Sequence, residues 1–156
     1  YPNIKAIFAG TGPLEEEIKK QIKENDLEEK ISLLGWRNDV KELINLSDLV
    51  ALFSKREGLG KCLLEAMICG KSVIATNSRG PRELIEDNEN GFLFEIDDVD
   101  KTSKSIEKIY IDKNLRNRFE KNVLKKTDDY LLDNVLNQLT SRYELLNKEE
   151  IKLVGV

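Results

Sequence analysis

A repeated change of period constrains this sequence most: short apolar runs alternate with stretches patterned for helix, and the first three runs lead into glycine-bearing turns. Ile4–Ala9 ends at Gly10-Thr11-Gly12-Pro13, Ile31–Leu34 at Gly35, and Leu49–Phe53 at the loop Ser54–Gly60. Ser72–Thr76 and Gly91–Phe94 complete the set of strands. Between them the pattern predicts a helix from Pro13 to about Asn25, one from Asn38 to about Leu46, one running to Cys69 and closed by Gly70, and a short one opening at Pro81. Pro13 and Pro81 suit a first helical position, and Glu15, Glu16 and Glu17 complement the helix dipole. Leu49–Phe53 is apolar almost throughout, the pattern of a strand covered on both faces. Short strands alternating with helices predict one α/β domain, a parallel sheet with helices on both faces. From Asp97 onward the sequence is helical. Its last helix, 128–148, sets Leu132, Val135, Leu136, Leu139, Tyr143 and Leu146 on one apolar face.

Composition narrows the function. A chain of 156 residues is one domain's worth. Its 40% apolar and 35% charged residues are a globular balance. The absence of histidine excludes a Ser-His-Asp triad, a His-ligated zinc site and an imidazole base. A net charge of −4 argues against nucleic acid as a partner. No apolar run approaches the roughly 20 residues that span a bilayer. Cys62 and Cys69 share a helix face on the order of 10 Å apart, too far for a disulfide. They read as small core residues in a reducing, cytoplasmic compartment. The opening Tyr1-Pro2-Asn3-Ile4 carries neither methionine nor signal pattern and reads as a cut.

In open parallel sheets, ligands sit beyond the carboxyl ends of strands. Gly10-Thr11-Gly12, Gly58-Leu59-Gly60 and Gly80-Pro81 are the glycine-bearing loops there. Each is open to two readings: a structural turn, or a close backbone approach to phosphate beside a helix N-terminus. The middle loop also carries acids. Glu57 precedes the helix and Glu65 lies about one turn inside it, with seven residues between them. Glu65 is open to three readings: a solvated helix-face glutamate, an ion pair with Lys61, or a carboxylate among apolar neighbours that needs a specific partner.

The run Glu57-Gly58-Leu59-Gly60-Lys61-Cys62-Leu63-Leu64-Glu65-Ala66-Met67-Ile68-Cys69-Gly70 resembles the Glu–seven–Glu signature of family-4 glycosyltransferases with the GT-B fold. Lys71–Thr76, Gly80-Pro81-Arg82-Glu83-Leu84-Ile85 and Asn90-Gly91-Phe92-Leu93 continue the pattern in register, and Ala9–Pro13 and Leu33–Trp36 match its earlier strand ends. The resemblance covers residues 4–96 and is most like members that build bacterial capsule or lipopolysaccharide sugars. It implies the C-terminal, Rossmann-like donor domain of a metal-independent, retaining enzyme, with a UDP- or GDP-sugar as donor and a saccharide or lipid-linked acceptor. Glu57 would contact the transferred sugar and stabilise its developing positive charge. Glu65 would accept hydrogen bonds from the ribose hydroxyls. Backbone N–H groups of Gly58, Leu59, Gly60 and Lys61 would hold the sugar and diphosphate. Thr11 and Gly12 would line the cleft floor, and Gly35, Trp36 and Arg37 would border the base. Trp36 is equally a packing residue on its own evidence, and Glu83 is placed to cap its own helix. An acid pair also suggests a hydrolase, but a loop acid and a helix acid beside phosphate-binding glycines suit donor binding better.

Leu59 stands where the family often has phenylalanine, Ser72 where it has proline and Asn88 where it has glycine. The family's N-terminal acceptor domain, and the donor-domain strand and helix that carry diphosphate-gripping Arg and Lys, have no counterpart among these residues. Lys61 or Arg79 is a candidate to supply that charge. Because the family strand is central, Ile4–Ala9 and Leu49–Phe53 are expected to pair directly or to flank a gap filled by another chain. The fragment is expected to be inactive alone, with any side-chain general base supplied by the acceptor half, and the full-length enzyme to sit peripherally at the inner membrane face. Other readings are a sugar-nucleotide epimerase of the same architecture and a non-catalytic nucleotide-sugar-binding or assembly subunit.

Overall fold

The computed structural model describes residues 1–153, with side chains described through residue 146. The elements are β1 (Ala6–Ala9), α1 (Glu15–Glu24), β2 (Ile31–Gly35), α2 (Val40–Leu46), β3 (Leu49–Leu52), α3 (Lys61–Ile68), β4 (Ser72–Thr76), α4 (Pro81–Leu84), β5 (Gly91–Phe94), α5 (Val99–Ile111), α6 (Lys113–Thr127) and α7 (Leu132–Leu153). A 3-10 turn, Asp128–Tyr130, stands between α6 and α7, so the last helix begins later than the predicted residue 128. The end of the tail, residues 154–156, lies outside the described residues.

The fold is α/β with parallel strands throughout, as the alternation of periods predicts. The strands form two ladders, β1–β2 and β3–β4–β5, and the chain divides into two compact units, Tyr1–Leu43 and Ile44–Val156, where one was expected. The physical reason is in the ladders: among the described residues β1 bonds only to β2, and β3 only to β4. Of the two arrangements expected for β1 and β3, direct pairing is therefore absent.

In the second unit β4 is buried along its whole length, with β3 on one side and β5 on the other. Side chains alternate between its faces. Val73 and Ala75 join a cluster with Leu63, Ala66 and Met67 of α3, Leu84 and Ile85, Leu93, and Val123 of α6. Ile74 points the other way, into Phe92, Phe94, Ile109 of α5 and Phe119 of α6. The Phe92 and Phe119 rings meet edge to face at 5.1 Å between centroids. Helices thus cover both faces of this sheet. β3 departs from its predicted burial: Ala51 is exposed and its neighbours are half-buried, because Ala51 joins neither apolar cluster and Leu49, Val50 and Leu52 only border them.

Local chemistry fixes the helix starts. Asp98 accepts the Lys101 N–H and Asp112 the Leu115 N–H, each at 2.9 Å, as N-caps of α5 and α6. α1 opens at Glu15, two residues past Pro13. The turn before β5 places Asn88 at φ 66, a conformation asparagine tolerates. Beside it, Asn90 is buried: its amide donates to the Leu84 carbonyl at 3.0 Å and its oxygen accepts the Glu86 N–H at 2.8 Å. Among the described residues no helix is long and apolar enough to cross a membrane.

Candidate functional site

In the second unit, the connections after β3 and β4 leave the carboxyl ends of two neighbouring parallel strands. The first runs from Phe53 to Gly60 and opens α3. Gly60 is the residue before the helix, at φ 82 and ψ 59, a left-handed conformation that strains any other side chain. Its carbonyl accepts the Leu63 N–H at 2.9 Å. The first N–H groups of α3 have no partner within the helix and face outward with the positive end of its dipole.

Glu57 is half-buried, and its Oε1 accepts the Gly58 N–H at 3.0 Å. Leu59 packs against the apolar cluster, while Gly58 and Lys61 are exposed. Glu65 lies one turn into α3 and is exposed, although Ala66 and Met67 beside it are fully buried. Of the open readings of Glu65 the solvated helix-face glutamate holds: it is not a buried carboxylate, and among the described residues it has no ion pair with Lys61. The helix turns Glu65 outward between two core positions. Cys62 links the two acids. Burial, first, and then the Glu57 carboxylate push its thiol above the ordinary value, and Glu65 adds to the shift. Both acids therefore act on the same thiol at the start of α3. Cys62 and Cys69 are free thiols, half-buried.

The connection after β4 braces this loop. Thr76 Oγ1 donates to the Ser54 carbonyl at 2.5 Å, and the Gly80 N–H donates to the Glu57 carbonyl at 3.3 Å. Thr76 was expected only as a strand residue, and Gly80 only as a turn or a backbone approach to phosphate. Arg79 and Lys61, the candidate cations, are both exposed. Glu83 does not answer its own helix start: the Gly80 N–H there donates to the Glu57 carbonyl, and the Glu83 backbone carbonyl accepts the Tyr130 hydroxyl at 3.2 Å.

The remaining expected residues lie in the first unit. The β1–β2 register slips between Phe8 and Ala9, so Ala9 faces Gly35 and Leu34 is bulged. The Gly10 N–H donates to the Gly35 carbonyl at 2.7 Å, which ties the start of the Thr11-Gly12 loop to the end of β2, where Trp36 and Arg37 follow. Trp36 is 77% exposed and its Nε1 donates to Asn38 at 3.1 Å, so the packing alternative fails. The Arg37 guanidinium pairs with Asp39 through two bonds, Nε to Oδ1 at 2.7 Å and Nη2 to Oδ2. That pair holds the Asp39 carboxyl below the usual carboxylate range. Arg37 is thus committed to a neighbour. Among the described residues no group of three or more acids and cysteines could hold a metal ion.

Parallel strands with helices on both faces, and a glycine loop at a strand's carboxyl end opening a helix, place this chain among the α/β proteins. The chain belongs to the group 1 glycosyl transferases, whose family pattern matches residues 1–126. It is 38% identical over 109 residues to EpsD of Bacillus subtilis (strain 168), whose name assigns it only to the glycosyltransferases, covering 70% of this chain and 29% of EpsD. It is 30% identical over 150 residues to the UDP-Gal:alpha-D-GlcNAc-diphosphoundecaprenol alpha-1,3-galactosyltransferase of Escherichia coli, covering 88% of this chain and 39% of that one. The fold is that of GT-B glycosyltransferase domains. HepE of Anabaena, solved in complex with UDP, superposes with a TM-score of 0.82 at 28% identity, over 94% of this chain and 42% of HepE. A solved C-terminal domain of the group 1 protein LpcC from Francisella tularensis shares the fold at a TM-score of 0.71 and 22% identity, over 84% of this chain and 90% of that domain. The chain spans between 29% and 39% of the two curated relatives' length.

Proposed function

We propose that this chain is the donor-binding part of a retaining, metal-independent glycosyltransferase that moves a sugar from a nucleotide-sugar to a saccharide or lipid-linked acceptor. The observation that carries the reading is the Glu57–Gly60 loop entering α3 with Glu65 exposed one turn along. An exposed, unpaired carboxylate is free to accept both hydroxyls of a ribose. A helix N-terminus suits the diphosphate, and its N–H donors offset charge that builds on the leaving group. Glu57 lies beside those donors, where a carboxylate stabilises positive charge on the sugar as its bond breaks. The HepE structures with UDP and with UDP-glucose support a uridine nucleotide as the donor to test first. That the chain covers 42% of HepE supports reading it as one part of a longer enzyme.

The test is calorimetric titration of the full-length protein with UDP, GDP, ADP and their sugars. One nucleotide is expected to bind. Glu65→Ala should weaken it by about 1.5–3 kcal/mol, the range for hydrogen bonds to a charged group. Glu57→Gln should keep nucleotide affinity and lose turnover. Binding to none of these nucleotides would sink the proposal.

A further inference from the structure

We propose that the connection from Thr76 to Gly80 is the positioning element for the Glu57–Gly60 loop, and that the bare α-carbon of Gly80 sets where Glu57 and the start of α3 stand. The ligand in this inference rests on the donor-binding reading above; the mechanical part stands on geometry alone. Gly80 has an ordinary right-handed backbone, φ −67 and ψ −51, so its conformation does not require glycine. Space does. A Cβ at this position would lie 2.5 Å from the Gly58 carbonyl oxygen and 2.7 Å from both the Gly58 carbonyl carbon and the Leu59 Cα. All of these are backbone atoms, so no side chain can rotate away, and one of the two segments must shift.

The loop is the segment that yields. Gly80 is continuous with buried Pro81 and Leu84, and its carbonyl accepts the Glu83 N–H at 2.9 Å. Residues 53–60 contain no regular element. They are held from outside by the Gly80 N–H on the Glu57 carbonyl and by Thr76 Oγ1 on the Ser54 carbonyl. A methyl group at Gly80 therefore pushes on Gly58 and Leu59, between the acid and the helix start. Displacement of reacting groups by about 1 Å costs on the order of a hundredfold in rate.

The experiment uses the full-length protein and compares wild type with Gly80→Ala, Thr76→Val and Gly91→Ala. The last is a control, since a Cβ at Gly91 clashes with the Val73 carbonyl inside the sheet, away from the loop. Hydrogen exchange, UDP affinity, and the donor KM and kcat are measured on each. Gly80→Ala is expected to speed exchange across residues 54–60 while β4 and β5 keep their protection, and to weaken donor binding or turnover by on the order of a hundredfold. Thr76→Val, which keeps shape and removes one tether, should move the same readouts by less, and it carries the test if Gly80→Ala fails to fold. Gly91→Ala should loosen β4 and β5 and leave the UDP affinity of the folded fraction intact. Unchanged loop exchange in both loop variants overturns the positioning role, as does unchanged donor kinetics in a protein that binds UDP. If wild type binds no nucleotide, the donor reading falls and loop exchange alone decides the role of Gly80.

Discussion

Ser72 begins β4 with a fully buried side chain, and among the described residues its hydroxyl finds no hydrogen-bond partner. A buried polar group left unpaired costs about 1–3 kcal/mol. Ser72→Ala removes the group and almost keeps the shape, so it is expected to stabilise the protein by about 1 kcal/mol. A rise in the urea midpoint at constant slope is the check; a fall would mean that the hydroxyl has a partner in solution. From the sequence, Ser72 reads only as a substitute for proline, because satisfaction of a hydroxyl depends on what packs over it. The same distinction runs through the site. The identities and spacing of Glu57 and Glu65 are legible, since a motif is a property of the chain. Their environments are not: Glu65 is exposed beside two buried residues, and Trp36 stands in solvent.

β4 and β5 occupy the residues their apolar runs predict, because both are buried at every position, β4 between two strands and β5 under the Phe119 cluster. β3 has an equally apolar sequence and is only half-covered, since no pattern within a strand reveals how far neighbouring elements reach over it. α1 starts late because a proline permits a helix start without compelling one. Gly80 is the sharper case. Its chain position marks a turn, but its reach to Gly58 is tertiary, and no local signal carries it. Among the helices, α6 reaches both clusters: Phe119 is fully buried on the Ile74 face and Val123 on the Val73 face. Phe119→Ala is expected to cost about 3–5 kcal/mol, measured by denaturant unfolding. A loss below 1 kcal/mol would mean that the Phe92–Phe119 contact is not maintained.

At the scale of the molecule, the two ladders differ in how they are protected. Every residue of β1 is exposed, whereas β4 and β5 are buried throughout. Amides of residues 6–9 are therefore expected to exchange with solvent well before those of 73–76. Equal rates in the two strands would show that the units open together. Along α7, residues 132–146 are all exposed, apolar and polar alike, Leu132, Leu136 and Tyr143 among them. The turn that feeds β5 has one more consequence, for how the protein ages. Asn90-Gly91 is the kind of pair that deamidates readily in flexible chains, when the glycine nitrogen attacks the asparagine carboxamide and expels ammonia. Here both ends of that carboxamide are held by hydrogen bonds, and Gly91 is locked into register against Val73. Native structure thus protects Asn90 chemically, and isoaspartate accumulating there would count the time this sheet spends unfolded.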